Sequence, residues 1–92
     1  MKLENQEAKE NLSRRLRRIE GQVRGVQSMV AEERDCREIL QQLTAVRSAV
    51  NSVTQLLMQE YATDCVLNLD NKGLEERETM IQDLVTMLGK GH

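Results

Sequence analysis

The sequence has no proline, no phenylalanine and no tryptophan, and Tyr61 is its single aromatic residue. With 39% apolar content over 92 residues, such a chain makes only a thin core, and oligomerisation is the expected remedy. No apolar run is long enough to cross a membrane, and nothing resembles a signal or transit peptide, so a cytoplasmic protein is expected. No repeat, low-complexity tract or linker divides the chain, and residues 1–92 read as one domain. An excess of basic charge is also missing. The formal net charge is −2, which argues against binding nucleic acid through overall charge. Cysteine is scarce, with Cys36 and Cys65 alone. In the cytoplasm two such thiols point to metal ligation or redox chemistry before a structural disulfide.

What is present is helical periodicity. Leu12, Leu16, Ile19, Val23, Val26 and Val30 repeat in steps of four and three, which predicts a helix from about Asn5 to Ala31. Gly21 and Gly25 lie four apart within it, a pair that either admits another backbone or is tolerated on a solvent face. After Glu32, Glu33 and Arg34, Asp35 and Glu38 have the spacing of a capping box. A second helix is therefore expected over Asp35 to Cys65, with Ile39, Leu43, Val46, Val50, Val53 and Leu57 in the same period and no glycine inside it. Asn68, Asp70, Asn71 and Gly73 read as a turn. Leu74, Ile81, Leu84, Val85 and Leu88 then place a shorter helix up to Gly89. The expected fold class is all-α, a three-helix protomer with two long helices and a shorter C-terminal one.

At about 1.5 Å per residue, Cys36 and Cys65 would stand roughly 40 Å apart along the second helix. They cannot meet within one chain. A second copy packed antiparallel brings Cys36 of one chain to Cys65 of the other, with a two-fold axis near Val50 and Asn51; otherwise the two thiols are unrelated. Cys36 falls in the first turn, where the helix dipole, Arg34 and Arg37 favour the thiolate, while Glu33, Asp35 and Glu38 oppose it.

The average charge hides an asymmetry. Arg14, Arg15, Arg17, Arg18 and Arg24 crowd one window, opposed within it by Glu20 alone. Like charges three and four apart on a helix repel, so the cluster reads either as a solvated face or as a site for an anionic partner such as a nucleic acid backbone. No aromatic side chain interleaves with the arginines to stack on bases, which favours duplex DNA over single strands or RNA. Without a helix-turn-helix pattern, binding would rest on phosphate contacts and DNA shape.

Arg15-Leu16-Arg17-Arg18-Ile19-Glu20-Gly21-Gln22-Val23-Arg24-Gly25, Asp35-Cys36, Gln41-Gln42-Leu43-Thr44-Ala45-Val46-Arg47-Ser48-Ala49 and Cys65-Val66 together resemble the CsoR/RcnR/FrmR family of all-helical bacterial repressors. That family includes copper, nickel–cobalt, formaldehyde and persulfide sensors. The resemblance implies an antiparallel helical dimer that pairs again into a tetramer, binds operator double-stranded DNA and releases it on meeting an inducer. It carries Arg15, Arg18 and Arg47 over as DNA-binding residues and Cys36 and Cys65 as sensing thiols.

The copper branch places a histidine four residues before its second cysteine, where this chain has Tyr61, and an outer glutamate on the third helix, where it has Ile81-Gln82. The one histidine, His92, is at the far C-terminus. The bare thiol pair resembles the persulfide-sensing branch. The expectation is therefore a repressor without a cofactor or metal, in which a persulfide or polysulfide loads Cys36 and Cys65 of the partner chain resolves it. Tyr61 is a possible neighbour of that site. The alternative is a Cu(I)-sensing repressor holding the metal with Cys36 and Cys65. Zinc lacks ligands. A formaldehyde sensor is a further member of the family. A sulfur-transferring enzyme using Cys36 has no positioned base to support it, and no enzymatic activity is expected.

Overall fold

The computed structural model describes residues 2–68 and 73–90. Asp70, Asn71 and His92 lie outside the described residues, as does the side chain of Leu88. Three helices are present: α1 (Gln6–Ala31), α2 (Cys36–Leu67) and α3 (Leu74–Lys90). The second runs one turn-fragment beyond the expected Cys65. The expected class and helix order hold.

Local chemistry sets the helix ends. Asn5 caps α1 by accepting from the backbone N–H of Ala8. Asp35 caps α2 by accepting from the N–H of Arg37 at 3.2 Å. The capping box is only half made, because Glu38 turns instead to Arg34, whose Nη2 lies 2.9 Å from its carboxylate. Between the helices the chain turns in four residues. The N–H of Glu33 donates to the carbonyl of Val30 and that of Arg34 to Met29, the paired bonds of a Schellman turn. That turn needs a left-handed residue, and Glu33 fills the place at φ 56°.

Glycine suits this position better. Glu33→Gly is expected to raise stability by about 0.5–1 kcal/mol, the left-handed penalty removed less the extra entropy of an unfolded glycine. A denaturant midpoint that fails to rise would refute this.

The short turn makes α1 and α2 an antiparallel hairpin, and α3 packs against α2. The whole measures 57 × 27 × 13 Å along its principal axes. A thickness of 13 Å is about one helix with its side chains, so the protomer is a single layer where a stable domain ordinarily has two. Its interior is correspondingly small: among the described residues the buried core is Ala8, Leu12 and Cys65.

The seven-residue apolar repeat divides between two neighbours. Leu12, Ile19 and Val26 of α1 turn towards α2, and Ile39, Val46 and Val53 of α2 are half-buried in return. The interleaved set, Leu16, Val23 and Val30 with Leu43, Val50 and Leu57, is 42–58% exposed. One broad face of the layer is thus apolar and uncovered. Gly21 and Gly25 are on neither contact: a Cβ at either would meet nothing within 4 Å.

Candidate functional site

Cys36 is the first residue of α2 and is exposed; Cys65, near the other end, is buried; both are free thiols. Twenty-nine residues of unbroken helix separate them by about 43 Å. At 100° per residue they return to nearly the same side of α2, the side of the uncovered stripe. Arg34 does not serve Cys36 as a free cation, because it is shared between Glu38 at 2.9 Å and Glu32 at 3.8 Å.

Tyr61 lies one turn before Cys65 on the same side of the helix. Burial pushes its phenol further above the usual pKa near 10, and Cys65, Asp83 of α3 and Asp64 add to the effect, as does its hydrogen bond with Cys65. The phenol therefore keeps its proton at neutral pH. It offers Cys65 a hydrogen-bonding neighbour and no anionic ligand.

Among the described residues no group of three or more His, Cys, Asp or Glu side chains is arranged to hold a metal. Each end of the molecule supplies one sulfur. A soft, low-coordinate ion such as Cu(I) suits a pair of thiolates, whereas tetrahedral zinc has too few donors. The pair can form only between chains.

The arginines occupy the opposite face of the layer. Asn11, Arg14, Arg15, Arg18, Gln22 and Ser52 line an open groove of about 310 Å³ between α1 and α2. Arg15 donates from Nε to Oδ1 of Asn11 at 3.0 Å and from Nη1 to Oγ of Ser52 at 2.8 Å. Arg14 donates from Nη2 to the same Asn11 oxygen at 3.3 Å. Glu20 is taken up by Arg24 at 3.7 Å and Glu10 by Gln6 at 3.3 Å, so neither reaches the groove. Among the described residues no carboxylate lies within 4 Å of Arg14, Arg15 or Arg18.

Arg15 and Arg18 are thus brought together, but Arg47 is not. It stands five residues before Ser52, about 140° away around α2, on the side of the apolar stripe. Asn11 and Ser52 have no role in the sequence pattern, and Arg14 enters it only as a member of the basic cluster. The spacing of Asn11 to Arg14 and Arg15 was visible there, whereas the Ser52 contact depends on how α1 and α2 align.

Residues 8–90 match the model of a family described as metal-sensitive transcriptional repressors. The chain belongs to that family. As a member of a repressor family it is a regulator and not an enzyme. This repressor is 39% identical to the copper-sensing transcriptional repressor CsoR of Bacillus subtilis over 82 residues, which are 89% of this chain and 79% of that one. It is 47% identical to the copper-sensing repressor RicR of Mycobacterium tuberculosis over 58 residues, covering 63% of this chain and 60% of the relative. Among solved structures it resembles CsoR with Cu(I) from Geobacillus thermodenitrificans, with a TM-score of 0.84 and 33% identity over 98% of this chain and 92% of the other. The nickel-responsive regulator InrS is similar with a TM-score of 0.78 and 34% identity, over 99% and 100% of the two chains.

These likenesses correct one expectation. A repressor working without any metal or cofactor is overturned, because the family is metal-sensitive, two relatives sense copper and one structural neighbour was solved with Cu(I). The replacement of one histidine by Tyr61 had carried that expectation, and two sulfurs alone already suit Cu(I). No helix among the described residues is long and apolar enough to cross a membrane.

Proposed function

We propose that this repressor is a cytoplasmic Cu(I) sensor that holds the ion between Cys36 of one chain and Cys65 of a second, antiparallel copy. The observation behind the reading is the pair of thiols at opposite ends of one unbroken helix and on nearly the same side of it, Cys36 exposed and Cys65 buried. The similarity to copper-sensing relatives favours the metal. In this reading residues 1–92 act as one unit, dimers pair into a tetramer, and operator DNA is bound through Arg15 and Arg18, without Arg47, which lies away from their groove. A bound cuprous ion would supply a soft Lewis-acid centre, and the Cys36 and Cys65 thiolates would be the residues that hold it. The chain supplies the rest: Asp35 fixes the start of α2 beneath Cys36, burial shields Cys65 from oxidants, and Tyr61 lines the same side. Because each site joins two chains, occupancy changes their relative setting, and a difference of about 1–3 kcal/mol between DNA-competent and released forms suffices for control.

Tyr61 favours a second reading, since it fills the position where the resembled copper sensors have an imidazole. With no third donor, the two thiols can act as a persulfide sensor. A persulfide RSSH transfers its outer sulfur to the Cys36 thiolate and leaves as RSH. Cys65 of the partner chain then attacks the Cys36 sulfur, forming a disulfide and expelling hydrosulfide.

Anaerobic Cu(I) titration beside intact mass spectrometry after a persulfide donor separates the two. The expected outcome is tight Cu(I) binding that lowers DNA affinity about tenfold or more. Weak Cu(I) binding together with a sulfur-dependent cross-linked dimer that releases DNA would replace copper by the persulfide.

A further inference from the structure

The groove on the arginine face has a feature that a solvated helix surface does not need. Its central cation, Arg15, is half-buried, has no carboxylate, and is tethered at two points by neutral oxygens from two different helices. Asn11 of α1 holds its Nε and Ser52 of α2 holds its Nη1. These bonds use two of the five N–H donors of a guanidinium and leave three directed away from the tethers. The same Asn11 oxygen gathers Arg14, so two like charges are kept beside one groove with no carboxylate of the described residues within 4 Å of either.

We infer that Asn11 and Ser52 are positioning residues that preset the Arg15 guanidinium as a clamp for a DNA phosphate, with Arg14 and Arg18 flanking it. The inference rests on the reading of Arg15 and Arg18 as DNA-contacting residues and adds how the first of them is aimed. A tethered fork loses little rotamer freedom when it closes on a phosphate, whereas a free arginine loses much of it. Ser52 matters doubly by its place in the fold. It belongs to α2, which carries both thiols, while Arg15 belongs to α1. A shift of α2 against α1 breaks the Ser52 tether and frees the fork without touching its charge.

The substitution Ser52→Ala removes one hydroxyl from an exposed helical position where alanine is the better helix former, so the fold is kept. The probe is a short labelled duplex selected from a random-sequence pool on the unaltered protein, with affinity followed by anisotropy over a range of salt. Ser52→Ala is expected to weaken binding about fivefold to tenfold, the loss of one solvent-exposed hydrogen bond. Its salt dependence should stay that of the parent, because no charge is lost. Arg15→Ala should reduce that slope by about one unit. Ser52→Thr should restore affinity, and Ser52→Ala should change affinity less than about twofold once Arg15 is alanine.

Parental affinity in Ser52→Ala, or an equal loss with and without Arg15, would overturn the inference while leaving the DNA reading in place. Parental affinity and salt slope in Arg15→Ala would overturn both.

Discussion

Val50→Glu should leave this repressor without a folded state at micromolar concentration. Val50 is 45% exposed in the protomer and sits midway along the stripe formed by Leu43, Val50 and Leu57 beside Leu16, Val23 and Val30. The layer is one helix thick and buries few side chains, so it lacks the two-layer core that stabilises an ordinary domain. A second copy laid on this face would supply the missing layer. Burying one valine is worth about 1.5–3 kcal/mol, and near a two-fold axis the loss is counted twice. Two facing carboxylates in that seam add a desolvation cost of several kcal/mol more. A total stability of about 5–15 kcal/mol does not survive it. Sedimentation equilibrium and circular dichroism should report an unfolded monomer, whereas Gln55→Glu, exposed and off the stripe, should stay within about 0.5 kcal/mol of the parent. A helical, compact monomer from Val50→Glu would refute the pairing.

Tyr61→His carries the second large effect. The position lies one turn before Cys65 and on the same side of α2. Its phenol is held protonated by burial and by Cys65, Asp83 and Asp64, so it contributes no ligand at neutral pH. An imidazole there adds a nitrogen donor to a two-sulfur site without moving the backbone, and Cu(I) affinity should rise at least about tenfold, or 1.4 kcal/mol. Competition with a chromophoric Cu(I) chelator reads the change. Unaltered affinity would mean that Tyr61 faces away from the metal and would weaken the copper reading of this face.

Much of the architecture is legible in the period of the apolar residues, because a repeat of four and three admits nothing but long helices and neither proline nor glycine interrupts α2. What that period cannot tell is which residues meet which neighbour. Val46 and Val50 look equivalent in the pattern, yet Val46 turns to α1 and Val50 to the uncovered face. The division is set by how the hairpin closes at Glu33, a tertiary fact. The same holds for the arginines. Arg15, Arg18 and Arg47 share residue type and matching motifs, but helix rotation puts Arg47 on the other face from the groove. Asn11 was readable as a helical neighbour of Arg14 and Arg15, whereas Ser52 is far away in the chain and near only in space. The inducer is the least legible, since in the proposed pairing its donor set is completed by a second chain.

The distance between the two thiols also bears on inheritance. In the proposed pairing each dimer has two sensing sites, and each site draws one sulfur from each chain. A chain lacking Cys36 still brings Cys65, and a chain lacking Cys65 still brings Cys36. When two such alleles are expressed together, their mixed dimers contain one complete site and one empty of sulfur. The mixed dimers would then sense the inducer, while either parental homodimer stays blind to it and keeps its hold on the operator, because the unit that senses is the pair.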